Sequence, residues 1–276
     1  MPRANRIFCR DMSCTLSLSH IPVLRDIRTS LFKTHRCHKK EFLLKFAKDR
    51  DRWRYWLYEA RKRYGLCILN YIITSNHIHL LVRDTGENVI PKSMQLIAGR
   101  TAQEYNQRKQ RRGAYCEDRY HATAVETGDH LAQCLVYIDL NMVRAGIVVH
   151  PGEWKHSGYN EIQQPLKRYS VIDIHSLKML CGMNDVTRFR QMHDQWVEEG
   201  LHIRRQERNP DWSRSIAIGS ERFIDDVKAQ LDIRAQGRDI YSNKESYTLK
   251  EPATTYQIGF VKSTLRPENM LYWNQS

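Results

Sequence analysis

Leu66-Cys67-Ile68-Leu69-Asn70-Tyr71-Ile72-Ile73-Thr74-Ser75-Asn76-His77-Ile78-His79-Leu80-Leu81-Val82 is the stretch that decides the fold. A short apolar run rich in Ile, Leu and Tyr meets the polar turn Thr74-Ser75-Asn76, and a second apolar run follows. That pattern predicts two strands joined as a hairpin. Upstream, residues from about His38 to Tyr64 predict a long helix, with Phe42, Leu43, Phe46, Trp53, Trp56, Leu57 and Ala60 near one face and Gly65 as the stop. Further upstream, Cys14-Thr15-Leu16-Ser17-Leu18-Ser19 alternates with period two and predicts a strand. Downstream, Pro91 opens a helix running to about Arg112, which Gly113 ends. His121–Val125 predicts a short strand. Asp129, as N-cap, begins a helix that runs to Ala145, with Gly146 behind it. The order strand, helix, strand, strand, helix, strand, helix predicts an α+β fold, a ferredoxin-like sandwich with an antiparallel sheet.

Past Trp154 the texture changes, and Gln163-Gln164-Pro165 reads as a boundary. Two units are expected: residues 1–165, and a mainly helical extension over 166–276. In the extension Ser220 caps a helix that buries Phe223, Ile224, Val227 and Leu231, and roughly the last 35 residues form a loose tail with little periodicity.

The chain has 276 residues, 41% hydrophobic and 27% charged, which is ordinary globular usage and argues against disorder throughout, collagen or coiled coil. No apolar run approaches the roughly 20 residues a bilayer span needs, and the first residues lead into no apolar signal segment. A protein of the cytoplasm, associated with the nucleoid and not with membranes, is therefore expected. The net charge is +13, and it is unevenly spread. Residues 1–165 carry 27 Lys+Arg against 16 Asp+Glu, and residues 166–276 carry 17 against 15. A basic N-terminal body points to a polyanionic partner, nucleic acid first and membrane surface second. Seven cysteines, an odd count with no Cys-x-x-Cys, fit a reducing compartment. Cys9, Cys14, Cys37 and His38 match no standard zinc spacing.

Two features carry chemistry. His77 and His79 lie at i and i+2 of a predicted strand, so their rings leave the same face about 7 Å apart and can converge on one divalent ion. Alone, such a pair is more often two polar residues on a solvated sheet face. On the helix 129–145, Leu131, Cys134, Leu135, Ile138 and Met142 form the core stripe. Tyr137 and Asn141 are four apart on another face, with His130, Gln133 and Arg144. Alone, Tyr137 reads as a half-buried ring with a wet hydroxyl. Together the features suit attack of a tyrosine on a DNA phosphate. A phenol with a pKa near 10 is a weak nucleophile, so the phosphate must be made electrophilic by a metal. Two imidazoles plus the Asn141 amide suit Mg²⁺ or Mn²⁺ with phosphate oxygens completing the shell.

The segments Asn76-His77-Ile78-His79-Leu80-Leu81-Val82 and Tyr137-Ile138-Asp139-Leu140-Asn141-Met142-Val143-Arg144-Ala145-Gly146-Ile147-Val148 resemble those of REP-associated tyrosine transposases (RAYTs), relatives of the HUH single-tyrosine insertion-sequence transposases. Met1-Pro2-Arg3, Arg119-Tyr120 and Trp154 followed by Ser157-Gly158-Tyr159 support the resemblance, which runs over about residues 1–162. Ile218-Gly219-Ser220-Glu221-Arg222-Phe223 is similar to the C-terminal region of longer RAYTs. The resemblance implies metal ligation by His77 and His79, a third, amide-type ligand at Asn141, and Tyr137 as nucleophile. It implies cleavage and rejoining of single-stranded DNA beside palindromic hairpins through a covalent 5′-phosphotyrosine. It also implies an Arg119-Tyr120 pair that either contacts DNA or packs on the sheet. Two departures stand out: Thr74-Ser75 replaces the family's usual Met-Pro, and Met142 replaces the Pro after the asparagine.

Independently of that resemblance, Arg100, Arg108, Lys109, Arg111 and Arg112, with Tyr105 and Tyr115 nearby, form a basic run suited to phosphates and an unpaired base. Trp53 and Trp56 read as core. The competing functions are a hairpin-binding regulator that no longer cleaves, a metal-dependent phosphodiesterase that uses water, and a replication initiator with the same chemistry. Either a monomer or a homodimer is compatible with the sequence.

Overall fold

The apolar runs around the His-x-His segment form two adjacent strands at one edge of a mixed sheet. The computed structural model describes residues 29–251, apart from 87, 117–120, 204–208 and 244–245. Strands β1 (Thr29–Arg36), β2 (Cys67–Ile73), β3 (His77–Arg83) and β4 (His121–Glu126) alternate with helices α1 (Ala47–Tyr64) and α2 (Val89–Lys109). These strands stand in the order β2-β3-β1-β4, and their pairings are antiparallel. That is the expected ferredoxin-like arrangement. β2 and β3 read as continuous apolar runs because both faces of the sheet are covered. Tyr71 points to α1, where its hydroxyl accepts from Arg54 at 2.9 Å. The next position round the pleat, Ile72, pairs with His79 and faces the other way.

That second face is covered by α3 (Asp129–Asp139) and α4 (Asn141–Arg144), and by helices from further along the chain: α5 (Gly158–Gln163), α6 (Ile174–Leu180), α7 (Val186–Ile203) and α8 (Asp211–Arg214). Strand β5 (Ala217–Gly219) then runs parallel to β4, and the hairpin β6 (Asp239–Asn243) and β7 (Ser246–Lys250) extends the sheet to seven strands in the order β2-β3-β1-β4-β5-β7-β6. Helix α9 (Glu221–Leu231) packs beside β5 and β7. Leu177, Phe189, Trp212, Ile218 and Phe223 share one apolar core with Phe32, Ile72, Leu81 and Ile138.

Several sequence expectations are refined. The strand expected at 14–19 lies outside the described residues. β1 is Thr29–Arg36, which escapes a hydrophobicity reading because Lys33 and His35 interrupt it. The first helix begins at Ala47, since a short 3-10 turn at His38–Lys40 precedes it, and it ends where Gly65 adopts φ 70°. Helix α2 starts two residues before Pro91 and stops at Lys109, because Gln110 takes φ 49°. The extension is mainly helical, as expected, yet it also supplies three strands. The stretch read as a tail contains most of the β6–β7 hairpin, whose Tyr241, Tyr247, Thr248 and Leu249 are good strand formers. Ser220 caps α9 as expected, its hydroxyl accepting from the Phe223 amide at 3.3 Å.

Candidate active site

Thr74 shapes the turn that presents the histidines. Its hydroxyl donates to the His77 carbonyl at 2.8 Å and accepts from the His77 amide at 3.1 Å. With its hydrogen committed, Thr74 Oγ1 can only accept from His77 Nδ1, 3.0 Å away, and Asn76 Oδ1 accepts there too at 2.8 Å. Nδ1 is therefore the nitrogen placed to carry a proton. The residue that replaces the Met of the RAYT pattern thus supplies an orienting oxygen. On β3 the next in-register histidine, His79, faces Thr34 across the β1 pairing, with Oγ1 and Nδ1 3.0 Å apart. Outer oxygens of this kind fix ring orientation in metal-binding histidines.

The two rings lie with centroids 4.8 Å apart, and His79 is buried, only 4% exposed. The face is therefore not the solvated one that an isolated His-x-His suggests. Phe32 stacks on His79 at 5.1 Å, and Tyr137 from α3 approaches the same ring at 6.0 Å. Trp212 closes the cluster, 5.9 Å from Tyr137 and 6.4 Å from Phe32. The Arg144 guanidinium lies over the Tyr137 ring, 4.4 Å from its centre, and donates to the Tyr137 carbonyl.

The structure thus brings His77, His79 and Tyr137 together. Asn141 is placed differently from expectation. The predicted helix 129–145 is two segments, broken at Leu140 (φ −78°, ψ 5°), and Asn141 opens the second. Its position relative to Tyr137 is set by this break and not by one continuous helical turn. The N-cap is also shifted: Gly128, φ 78°, precedes Asp129, which is the first helical residue.

The donor chemistry suits a divalent ion: two imidazoles, both with Nδ1 bound to side-chain oxygens, on one sheet face. No grouping of three or more His, Cys, Asp or Glu able to hold a metal occurs among the described residues. The remaining donors would be an amide, water or phosphate oxygens.

The basic run is dispersed on the other layer, where α2 packs on α1. Arg108 pairs with Asp49, and Arg111 pairs with Glu41 at 3.2 Å, which offsets their charge. Lys109 lies over the exposed Phe46 ring at 5.4 Å, and Arg100 over Trp56 at 5.7 Å, while Arg112 is exposed. Tyr115 is buried against Tyr105, so it offers no face to a base. Trp53 and Trp56 are buried, as expected. Arg119 and Tyr120 lie outside the described residues.

Sequence reasoning missed Phe32, Thr34 and Trp212. The first two lie on β1, a strand the hydrophobic pattern does not mark. Trp212 reaches the site through a β4–α8 packing far apart in sequence.

Residues 34–141 match the family model described as Transposase IS200 like. The matched segment is 108 of the 276 residues. It spans β1 to the first residue of α4 and so contains the two histidines, the tyrosine and Asn141. No curated protein matches the chain. Among solved structures, that of a REP-associated tyrosine transposase bound to a REP hairpin is similar to it over 53% of this chain and 88% of that one, with 15% sequence identity and a TM-score of 0.41. The mixed α+β fold is consistent with an IS200-like domain, and no described helix is long and apolar enough to cross a membrane.

Proposed function

We propose that this protein nicks and rejoins single-stranded DNA at hairpins of the REP type, using Tyr137 as the nucleophile and acting on the nucleoid in the cytoplasm. The observation that carries the reading is the placement of Tyr137 6.0 Å from His79, itself 4.8 Å from His77, all within one chain. This supports a site completed in cis, for which a monomer suffices. The match of residues 34–141 to the IS200-like transposase model supports DNA as the substrate.

In the proposed reaction the Tyr137 oxygen attacks a backbone phosphorus. The P–O bond to tyrosine forms as the bond to the 3′-oxygen breaks, and the electron pair leaves with that oxygen, which takes a proton from solvent as the phenol gives one up. The products are a 5′-phosphotyrosine and a free 3′-hydroxyl. Because the bond energy is kept, a 3′-hydroxyl can reverse the step and rejoin the strand. His77, His79 and the side-chain amide of Asn141 would hold Mg²⁺ or Mn²⁺, which when bound would polarise a non-bridging phosphate oxygen. Thr74, Asn76 and Thr34 hold the imidazoles in register. Arg144 places positive charge beside Tyr137, where an anionic phosphate approaches. Phe32 and Trp212 shield the phenol ring from water. Lys109, Arg112 and Arg100 are proposed to contact the phosphates of the hairpin stem on the α1–α2 layer.

The test uses palindromic oligonucleotides from the source genome with Mg²⁺ or Mn²⁺, read on a denaturing gel. A covalent adduct that EDTA, His77→Ala and His79→Ala each abolish is expected. Binding without nicking would favour a regulator, and nicking without an adduct would favour a hydrolase.

A further inference from the structure

Two residues beyond Tyr137, Asp139 ends α3 with a side chain that is fully buried. A carboxylate taken out of water needs full hydrogen bonding. Asn70 of β2 donates its amide to Oδ1 at 3.0 Å. Oδ2 lies 2.8 Å from Nε2 of His193 on α7, which is also fully buried. At the other ring nitrogen, the Gln163 amide of α5 stands 2.9 Å from Nδ1. That amide also donates to the Arg190 carbonyl at 3.2 Å, so its nitrogen is correctly placed as donor. One neutral tautomer, protonated on Nε2, satisfies both contacts of His193. The ring is held between Phe189, stacked at 5.9 Å, and Tyr159, tilted at 5.6 Å.

This chain of polar groups runs from the sheet, through the end of the tyrosine helix, into α7. It meets the tyrosine helix at the position just before the Leu140 break that separates Tyr137 from Asn141. Beside it, α7 approaches closely: a Cβ at Gly200 would meet Val136 Cγ1 at 2.8 Å and Leu140 Cδ1 at 2.9 Å. We propose that His193, from the C-terminal extension, is a positioning residue for the strand transfer: through Asp139 it fixes where α3 ends and so the aim of Tyr137. This rests on the reading of Tyr137 as nucleophile. It gives the extension a direct part in the reaction, since residues 34–141 alone leave Asp139 without its histidine.

The test compares wild type, His193→Leu and His193→Gln in the full chain. It measures the single-turnover rate of adduct formation on a hairpin oligonucleotide with Mn²⁺ and, separately, the Kd for the same hairpin in EDTA, where no nicking is expected. His193→Leu is expected to slow the adduct at least about tenfold with Kd within about twofold. His193→Gln, which keeps an N–H toward Asp139, is expected to recover most of the rate. Should His193→Leu prove insoluble, Gln163→Met, which removes the donor that sets the tautomer, is expected to slow the adduct about threefold at unchanged Kd. Rates equal to wild type, or a rate that falls while Kd rises in parallel without rescue by His193→Gln, would overturn the proposal while leaving the tyrosine reading intact. Absence of any adduct from wild type would overturn both.

Discussion

Thr74 makes two contributions, closing the turn before β3 and orienting the ring of His77. Both are lost in Thr74→Val, so the Mn²⁺ concentration for half-maximal adduct formation should rise about tenfold, the usual effect of removing an outer-shell partner. An unchanged metal dependence would place the orienting role on Asn76 alone. A different residue-scale consequence concerns Lys33, buried in β1, whose amine burial pushes down to about 7 with Asp84 opposing the shift. The folded state binds fewer protons than the unfolded state between about pH 7 and the ordinary lysine value of 10.5. Stability from this residue therefore rises with pH across that window, and its cost is greatest below pH 7. Lys33→Met should raise stability at pH 6 by roughly 1–4 kcal/mol and by less at pH 9, as measured by urea unfolding. An equal gain at both pH values would contradict the assignment.

At the scale of elements, the hairpin, α1 and its Gly65 stop were legible because a period, a length and a turn agreed there. The strand β1 was not, since a strand covered on both faces by other elements can carry Lys33 and His35 and lose its alternation. The break at Leu140 was also hidden: Met142 removes the Pro that would have announced it, and the Arg144 contact to the Tyr137 carbonyl is a side-chain event that periodicity does not record. His77, His79 and Tyr137 could be named from residue type and spacing, whereas Trp212 and His193 belong to the site's surroundings only through long-range packing. In the basic run, Lys109 at the end of α2 and Arg112 just beyond it are exposed, while Arg108 and Arg111 are paired with carboxylates. Lys109→Ala should weaken hairpin binding evenly across sequences and lower the salt slope of log Kd by about one. Arg108→Ala should instead act mainly on stability, which filter binding and thermal melting together will separate.

For the whole molecule, the extension does not stand apart from the segment before it. β5 continues the sheet from β4, and the core runs without interruption from Phe32 and Ile138 to Phe189, Trp212 and Ile218. A chain ending at residue 165 would expose that face of the sheet and leave Asp139 with one of its two buried partners. It should therefore lack a cooperative thermal transition, whereas the full chain should show one, by calorimetry. A sharp transition in the short chain would mean that residues 29–165 hold their structure unaided. The same continuity explains why the extension read as a separate unit: its near-neutral charge and change of texture are properties of sequence, but sheet pairing between β4 and β5 is decided by contacts 93 residues apart (Ala124 with Ala217).

The central claim is that Tyr137 becomes covalently joined to DNA. The most direct test is to incubate the protein with a palindromic oligonucleotide and Mn²⁺, digest with nuclease and trypsin, and locate the nucleotide by mass spectrometry. The account predicts a phosphonucleotide on Tyr137 within the tryptic peptide 120–144, absent without metal and in His79→Ala. Nicked DNA with that peptide unmodified, or with the nucleotide on another residue, would contradict it.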